Sequence, residues 1–248
     1  MWRATLVTNL ISKSIIEIIK SHNGPFLFNE DGLEIRYESF AKNIETIGAQ
    51  LSSIDFKNNK ICALVLPNGI DMAMSFLALA NFVTVSPLNP NYTKEEFLFF
   101  LQDLDCEFVI ADKNASNALI EAAEQLGIRL FYLDSDTPKN ELSIKSLPTS
   151  SNCLLEQNKD ENFCLILHTS GTTSRPKQVQ LSCTNVISSA LNISHVLKLK
   201  KEDKGLNIMP LFHIHGLIAS LLSSVVTGSS LVCTSGFNAL SFYANIDT

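Results

Sequence analysis

From residue 61 onward, short apolar runs alternate with segments of helical spacing. ICALVL (61–66) predicts a buried strand ended by Pro67-Asn68-Gly69, and Asp71 to Ala80, poor in β-branched residues, predicts a helix. VTVS (83–86) is strand-like, and Pro87-Leu88-Asn89-Pro90 is a loop. Thr93 with Glu96 three residues on makes a capping box, and Phe97, Phe100, Leu101 and Leu104 mark one face of the helix it opens. FVIA (108–111) is a strand, Asn114 to Leu126 a helix stopped by Gly127, and IRLFYL (128–133) another strand. Beyond a polar stretch the alternation resumes with strand FCLILH (163–168), a hydroxyl-rich loop and VQLS (179–182). A helix from Thr184 to Leu199, strand LNIM (206–209), a helix from Gly216 to Val226 and strand SLVCT (230–234) follow.

Such βαβα order predicts an α/β fold, with parallel or mixed sheets flanked by helices on both faces. The stretch from Asp134 to Asp160, with Pro138, Pro148 and many Ser, Asn and Lys, reads as a linker or long surface loop. It is the expected subdomain seam. With 248 residues, 46% hydrophobic and 18% charged, the chain is long and apolar enough for one large domain or two small ones. A net charge of −6, with 19 scattered basic residues, argues against a nucleic-acid partner. The longest apolar region, Leu211 to Val226, is interrupted by His213, His215, Gly216 and serines such as Ser220, so no membrane span is expected. Six cysteines without a C-x-x-C pair read as reduced thiols in a cytosol-like compartment. The N-terminal MWRATLVTNLISKS lacks the marks of a secretory signal, a weak mitochondrial leader stays open, and the expected location is cytoplasmic.

The chemistry concentrates in Leu167-His168-Thr169-Ser170-Gly171-Thr172-Thr173-Ser174-Arg175-Pro176-Lys177. Five hydroxyl side chains fall within six residues around one glycine, directly after a buried strand, and a lysine follows. Gly171 permits torsions that aim N–H groups inward, the hydroxyls donate hydrogen bonds, and Lys177 adds a compact positive charge. No carboxylate interrupts the loop to repel an anion. Two readings stand: a polyphosphate cradle, or a Ser/Thr-rich surface turn with a solvated lysine. The P-loop of nucleotide triphosphatases is disfavoured, because Pro176 stands where its second glycine belongs and Gln178 where Ser or Thr should follow the lysine.

TSGTTSRPK resembles the phosphate-binding motif of the adenylate-forming superfamily, usually TSGTTGxPKG, which acyl-CoA synthetases, luciferases and peptide-synthetase adenylation domains share. Ser174 replaces the usual glycine and Gln178 another, and the Ser-Arg variant particularly resembles the oxalate–CoA ligase branch. The resemblance implies that Thr169, Ser170, Gly171, Thr172 and Thr173, with Ser174 in the same loop, wrap the β- and γ-phosphates of ATP. It further implies that Lys177 neutralises their charge and that Thr172 or Thr173 helps place Mg²⁺. MPLFHIHG (209–216) resembles the family's acyl-pocket segment, which implies that His213 borders the carboxylate and that His215 is a second substrate-side position. Read from the residues alone, His213 and His215 share one face of an extended loop and make structural hydrogen bonds, or bind zinc, for which no third ligand is near. Pro87 to Phe97 resembles the family's PLNPxYTxEEF turn and helix start, whose role there is architectural. The matches run from Ile61 to Phe237, and residues 1–60 fit the family's opening helix and hairpin loosely.

What the resemblance implies is a ligase in which a carboxylate and ATP give an acyl-adenylate and coenzyme A then takes the acyl group. Lys177 and His213 are the candidate catalytic residues. Oxalate or another small dicarboxylate is the favoured substrate, with fatty and aryl acids open. The chain is expected to be the N-terminal portion of the large domain, with the adenine, ribose and Mg²⁺-chelating groups and the small C-terminal domain beyond residue 248. On that expectation the mean hydropathy of +0.16 reflects core faces made for the remaining half, and the chain is inactive alone. The competing reading is a non-catalytic remnant that binds nucleotide weakly or serves as an interaction partner. Asp247-Thr248 is no peroxisomal tripeptide, and a peroxisomal location stays open for a full-length form.

Overall fold

The computed structural model describes residues 10, 12–56, 60–134, 141–149, 155–158, 162–169, 175–240 and 242–243. In order, the elements are α1 (Ile15–Lys20), the hairpin β1 (Pro25–Phe28) and β2 (Glu34–Arg36), and α2 (Tyr37–Leu51). A run of β/α units follows: β3 (Ile61–Val65), α3 (Ile70–Leu79), β4 (Thr84–Pro87), α4 (Lys94–Leu104), β5 (Phe108–Ala111), α5 (Asn117–Leu126) and β6 (Arg129–Tyr132). Then come β7 (Phe163–Thr169), β8 (Lys177–Ser182), α6 (Cys183–Leu197) and β9 (Lys204–Asn207). A π-helical segment (His215–Leu222) runs into α7 (Ser223–Thr227) and β10 (Ser230–Cys233).

The strands form two sheets. One has six strands in the order β6-β5-β3-β4-β7-β8, parallel except for the last antiparallel pair. The other has four, β2-β1-β10-β9, in which β1 and β10 pair in parallel, Leu27 opposite Leu231. The expected α/β class with mixed sheets and flanking helices is the observed one. The N-terminal hairpin thus joins a second sheet with β10, the last strand among the described residues.

Local signals explain most boundaries. Thr93 and Glu96 complete the capping box of α4, whose buried face is Phe97, Phe100, Leu101 and Leu104 as the spacing predicts. Successive residues of β3 serve opposite faces: Ala63 and Val65 pack with α4 and α5, while Cys62 and Leu64 join the larger core between the sheets. α3 lies within that core with nine of its side chains buried, which its apolar sequence allows all round. α5 starts at Asn117, not Asn114, because Ser116 caps it by accepting from Leu119 N–H. Strand β9 likewise sits at 204–207 rather than 206–209, since Met209 and Pro210 open the turn that follows.

The polar stretch after β6 connects two strands of one sheet: β7 follows it and pairs with β4. Its described parts are stitched down by amides. The Gln50 side chain donates to the carbonyls of Ile144 and Leu147 and accepts from Ile144 N–H. Asn158 donates to the carbonyls of Ala80 and Val83. Cys62, Cys106, Cys164, Cys183 and Cys233 are buried and form no disulfide among the described residues, and burial pushes the Cys106 and Cys233 thiols up to about 12. No helix of the described residues is long and apolar enough to cross a membrane.

Candidate functional site

The parallel strands point their carboxyl ends to one edge of the six-stranded sheet, the edge where open α/β folds place ligands. β7 delivers the hydroxyl-rich loop there. Its centre is buried on both faces, and it emerges into solvent at Thr169. β8 returns from Lys177, and the ladder pairs Leu167 with Val179, His168 with Gln178 and Thr169 with Lys177. The loop is therefore the turn of a hairpin, and Thr169 and Lys177 are its two posts. Both are exposed, with the Thr169 hydroxyl 3.5 Å from the Lys177 carbonyl. Lys177, expected in the loop, is the first residue of a strand, which fixes where its ammonium group starts. Ser170, Gly171, Thr172, Thr173 and Ser174 lie outside the described residues.

Next to this edge the carboxyl ends of both sheets converge on Asn68, in the turn after β3. Its amide donates to the Thr234 carbonyl after β10 (2.8 Å), and its oxygen accepts from Leu211 N–H (2.8 Å). One side chain thus ties the first β/α turn to the PLFH turn and to the second sheet. Asn68 borders a cavity of about 570 Å³ whose other walls include Pro90, Asp112, Ser116, Phe212 and Ser235. The PLNP turn, expected to be architectural, also lines this crevice through Pro90 and Asn91. Asn68 was readable as a turn residue in Pro-Asn-Gly, but its partners lie far away in sequence, so its bridging role had no local signal.

The PLFH segment departs from the extended loop expected of it. His213 N–H donates to the Pro210 carbonyl, and Leu217 N–H to the His213 carbonyl, so the chain turns and coils at once. Ile214 between the histidines is helical (φ −53°, ψ −35°). Helical backbone rotates successive side chains by roughly 80–100°, so residues two apart project to opposite sides. His213 and His215, both exposed, therefore do not share a face. His215 borders a second cavity, of about 550 Å³, with Met209, Ala219 and Ser220, and His213 lies against Phe212 (ring centroids 4.6 Å apart). The π-helical start follows from Gly216, where a Cβ would come within 2.7 Å of the Pro210 carbonyl oxygen. Replacing Gly216 by Ala must push that backbone apart. The expected outcome is a loss of about 1–2 kcal/mol in urea unfolding, within the range for overpacked sites. An unchanged midpoint would show that the turn relaxes freely.

The family described as "AMP-binding enzyme" matches residues 20–247. Oxalate–CoA ligase of Arabidopsis thaliana is 36% identical over 212 residues, covering 82% of this chain and 41% of that protein. The enzyme of the same name in Saccharomyces cerevisiae is 32% identical over 206 residues, covering 73% of this chain and 38% of that protein. Among solved structures, ATP-bound MatB from Rhodopseudomonas palustris superposes with a TM-score of 0.81 at 18% identity, over 95% of this chain and 48% of that one. The chain spans less than half the length of these proteins.

Proposed function

This chain belongs to the AMP-binding enzyme family, among the adenylate-forming CoA ligases, and from that premise we propose that it supplies the phosphate-holding part of a carboxylate-activating site. In the reaction proposed, a carboxylate oxygen attacks the α-phosphorus of ATP, and pyrophosphate leaves with the electrons of the broken P–O bond. The thiol of coenzyme A, losing its proton, then attacks the carbonyl carbon of the acyl-adenylate, and AMP leaves. The first step brings a carboxylate against a polyphosphate, so fixed donors and cations must hold the anions in line.

The observation that carries this reading is the hairpin. A loop of hydroxyls, glycine and no carboxylate is held between Thr169 and Lys177 at the ligand-binding edge of a parallel sheet. In the proposal Thr169, Ser170, Gly171, Thr172, Thr173 and Ser174 donate to the β- and γ-phosphates, and the Lys177 ammonium stands at the loop's exit to balance their charge. Mg²⁺, placed by Thr172 or Thr173, would screen the remaining negative charge. In the same proposal His213 borders the carboxylate, and His215, which borders a separate cavity, is the second substrate-side position. Oxalate or another small dicarboxylate is the proposed substrate, supported by TSGTTSRPK and by the two oxalate–CoA ligases among the relatives. The protein is proposed to act with the remaining half that its relatives carry.

ATP–pyrophosphate exchange with a panel of carboxylates tests this, run on this chain and on any longer product of the same transcript. Oxalate-dependent exchange in the longer form supports the ligase. Nucleotide binding without exchange in either form would replace it with a non-catalytic nucleotide binder.

A further inference from the structure

Beside the stem of the hairpin, side chains from three elements meet. Asp103, in the last turn of α4, holds a carboxylate oxygen 3.0 Å from His168 Nε2 and 2.9 Å from Gln178 Nε2. Gln178 also donates to the Asp103 backbone carbonyl. His168 and Gln178 face each other in the ladder, one pair before Thr169 and Lys177. A single residue of α4 therefore grips both strands one ladder step before the pair that flanks the loop. The His168 side chain is only 6% exposed, and its ring packs edge-on to Phe100, which in turn stacks on Tyr92. His168 is thus seated against the buried face of a capped helix, while Asp103 reaches it from the exposed flank of the same helix. Gln178 occupies a position that is glycine in the motif it resembles, and a glycine there would have no amide to reach α4.

We propose that Asp103 is a positioning residue for the phosphate loop, fixing both posts of the β7–β8 hairpin through His168 and Gln178 so that Thr169 and Lys177 keep the separation a bound polyphosphate needs. The proposal rests on the reading of residues 169–177 as the phosphate site. Two features give it physical weight. A glycine at 178 would leave the stem joined to α4 on one strand only, whereas the glutamine makes the attachment two-sided. The hydrogen bonds from Gln178 and His168 also hold the Asp103 carboxyl below its ordinary value, as expected of a charge that both partners stabilise.

The test uses this 248-residue chain, with MgATP as the probe and hydrogen exchange as a readout independent of the nucleotide. Asp103→Ala is expected to weaken MgATP binding roughly five- to tenfold through misplacement of the posts, with Asp103→Asn, which keeps an acceptor, recovering most of it. In the same variant, amides of residues 177–179 exchange about tenfold faster, and the protected Nε2 proton of His168 disappears from the NMR spectrum. If Lys177→Ala weakens binding and Asp103→Ala does not, the loop is the phosphate site and Asp103 does not position it. If the unaltered chain binds no MgATP, the phosphate reading fails, and the anchor is judged on exchange alone: unchanged rates in Asp103→Ala overturn it.

Discussion

Lys177→Ala is expected to raise the dissociation constant for MgATP by roughly 10- to 100-fold while leaving the fold intact. The size follows from the chemistry removed. A hydrogen bond between an ammonium and a phosphate oxygen contributes about 1.5–3 kcal/mol, and each 1.4 kcal/mol is a factor of ten in affinity. The intact fold follows from geometry: the Lys177 side chain is exposed, and its backbone pairing with Thr169 survives truncation. Thermal midpoints should therefore agree to within about 2 °C, as for surface substitutions generally. Lys177→Arg should restore part of the affinity, since the charge returns with a broader, forked geometry. Equal affinities for the wild type and Lys177→Ala, measured by calorimetry, would remove the lysine from the site.

Asn68→Ala is expected to be the most damaging single change at the crevice. It strands the N–H of Leu211, a fully buried residue, and the carbonyl of Thr234, and no other side chain links the three turns in the same way among the described residues. Each unsatisfied backbone group costs about 1–3 kcal/mol when water cannot reach it, and Asn68 itself is half-buried, so a total of about 2–3 kcal/mol is expected. At roughly 2–4 °C per kcal/mol for a chain of this size, the thermal midpoint falls by roughly 5–10 °C. Asn68→Asp, which keeps the acceptor for Leu211 N–H but loses the donor to Thr234, should lie about halfway. Equal midpoints for the wild type and both variants would mean that the sheets are held together without this bridge.

The first sheet was legible because its code is local. Between Ile61 and Tyr132 every element is announced by an apolar run, a capping residue or a stop, and the boundaries shift by only a few positions. The second sheet was not, because β1 pairs with β10 across most of the chain and no spacing rule reaches from Leu27 to Leu231. The same limit applies within the site. The hydroxyl-rich loop was visible as a sequence, yet its being a hairpin turn depends on β8 pairing backwards against β7. Lys177 read as the end of a loop and proves to be a strand's first residue. The histidines of PLFHIH read as partners on an extended segment, but the close approach allowed by Gly216 coils the chain and separates them. Val196, Leu197 and Ile214 are exposed at 75%, 61% and 52%, apolar side chains that leave the mean hydropathy on the surface as well as in the core.

The claim that the β7–β8 hairpin holds the polyphosphate of ATP is tested most directly by titrating this chain with MgATP and following its backbone amides by NMR. The account predicts saturable shifts that are largest at Thr169, at Lys177 and in the loop they bracket, and that vanish in Lys177→Ala. Saturable shifts confined to other parts of the chain, or none at millimolar MgATP, would contradict it.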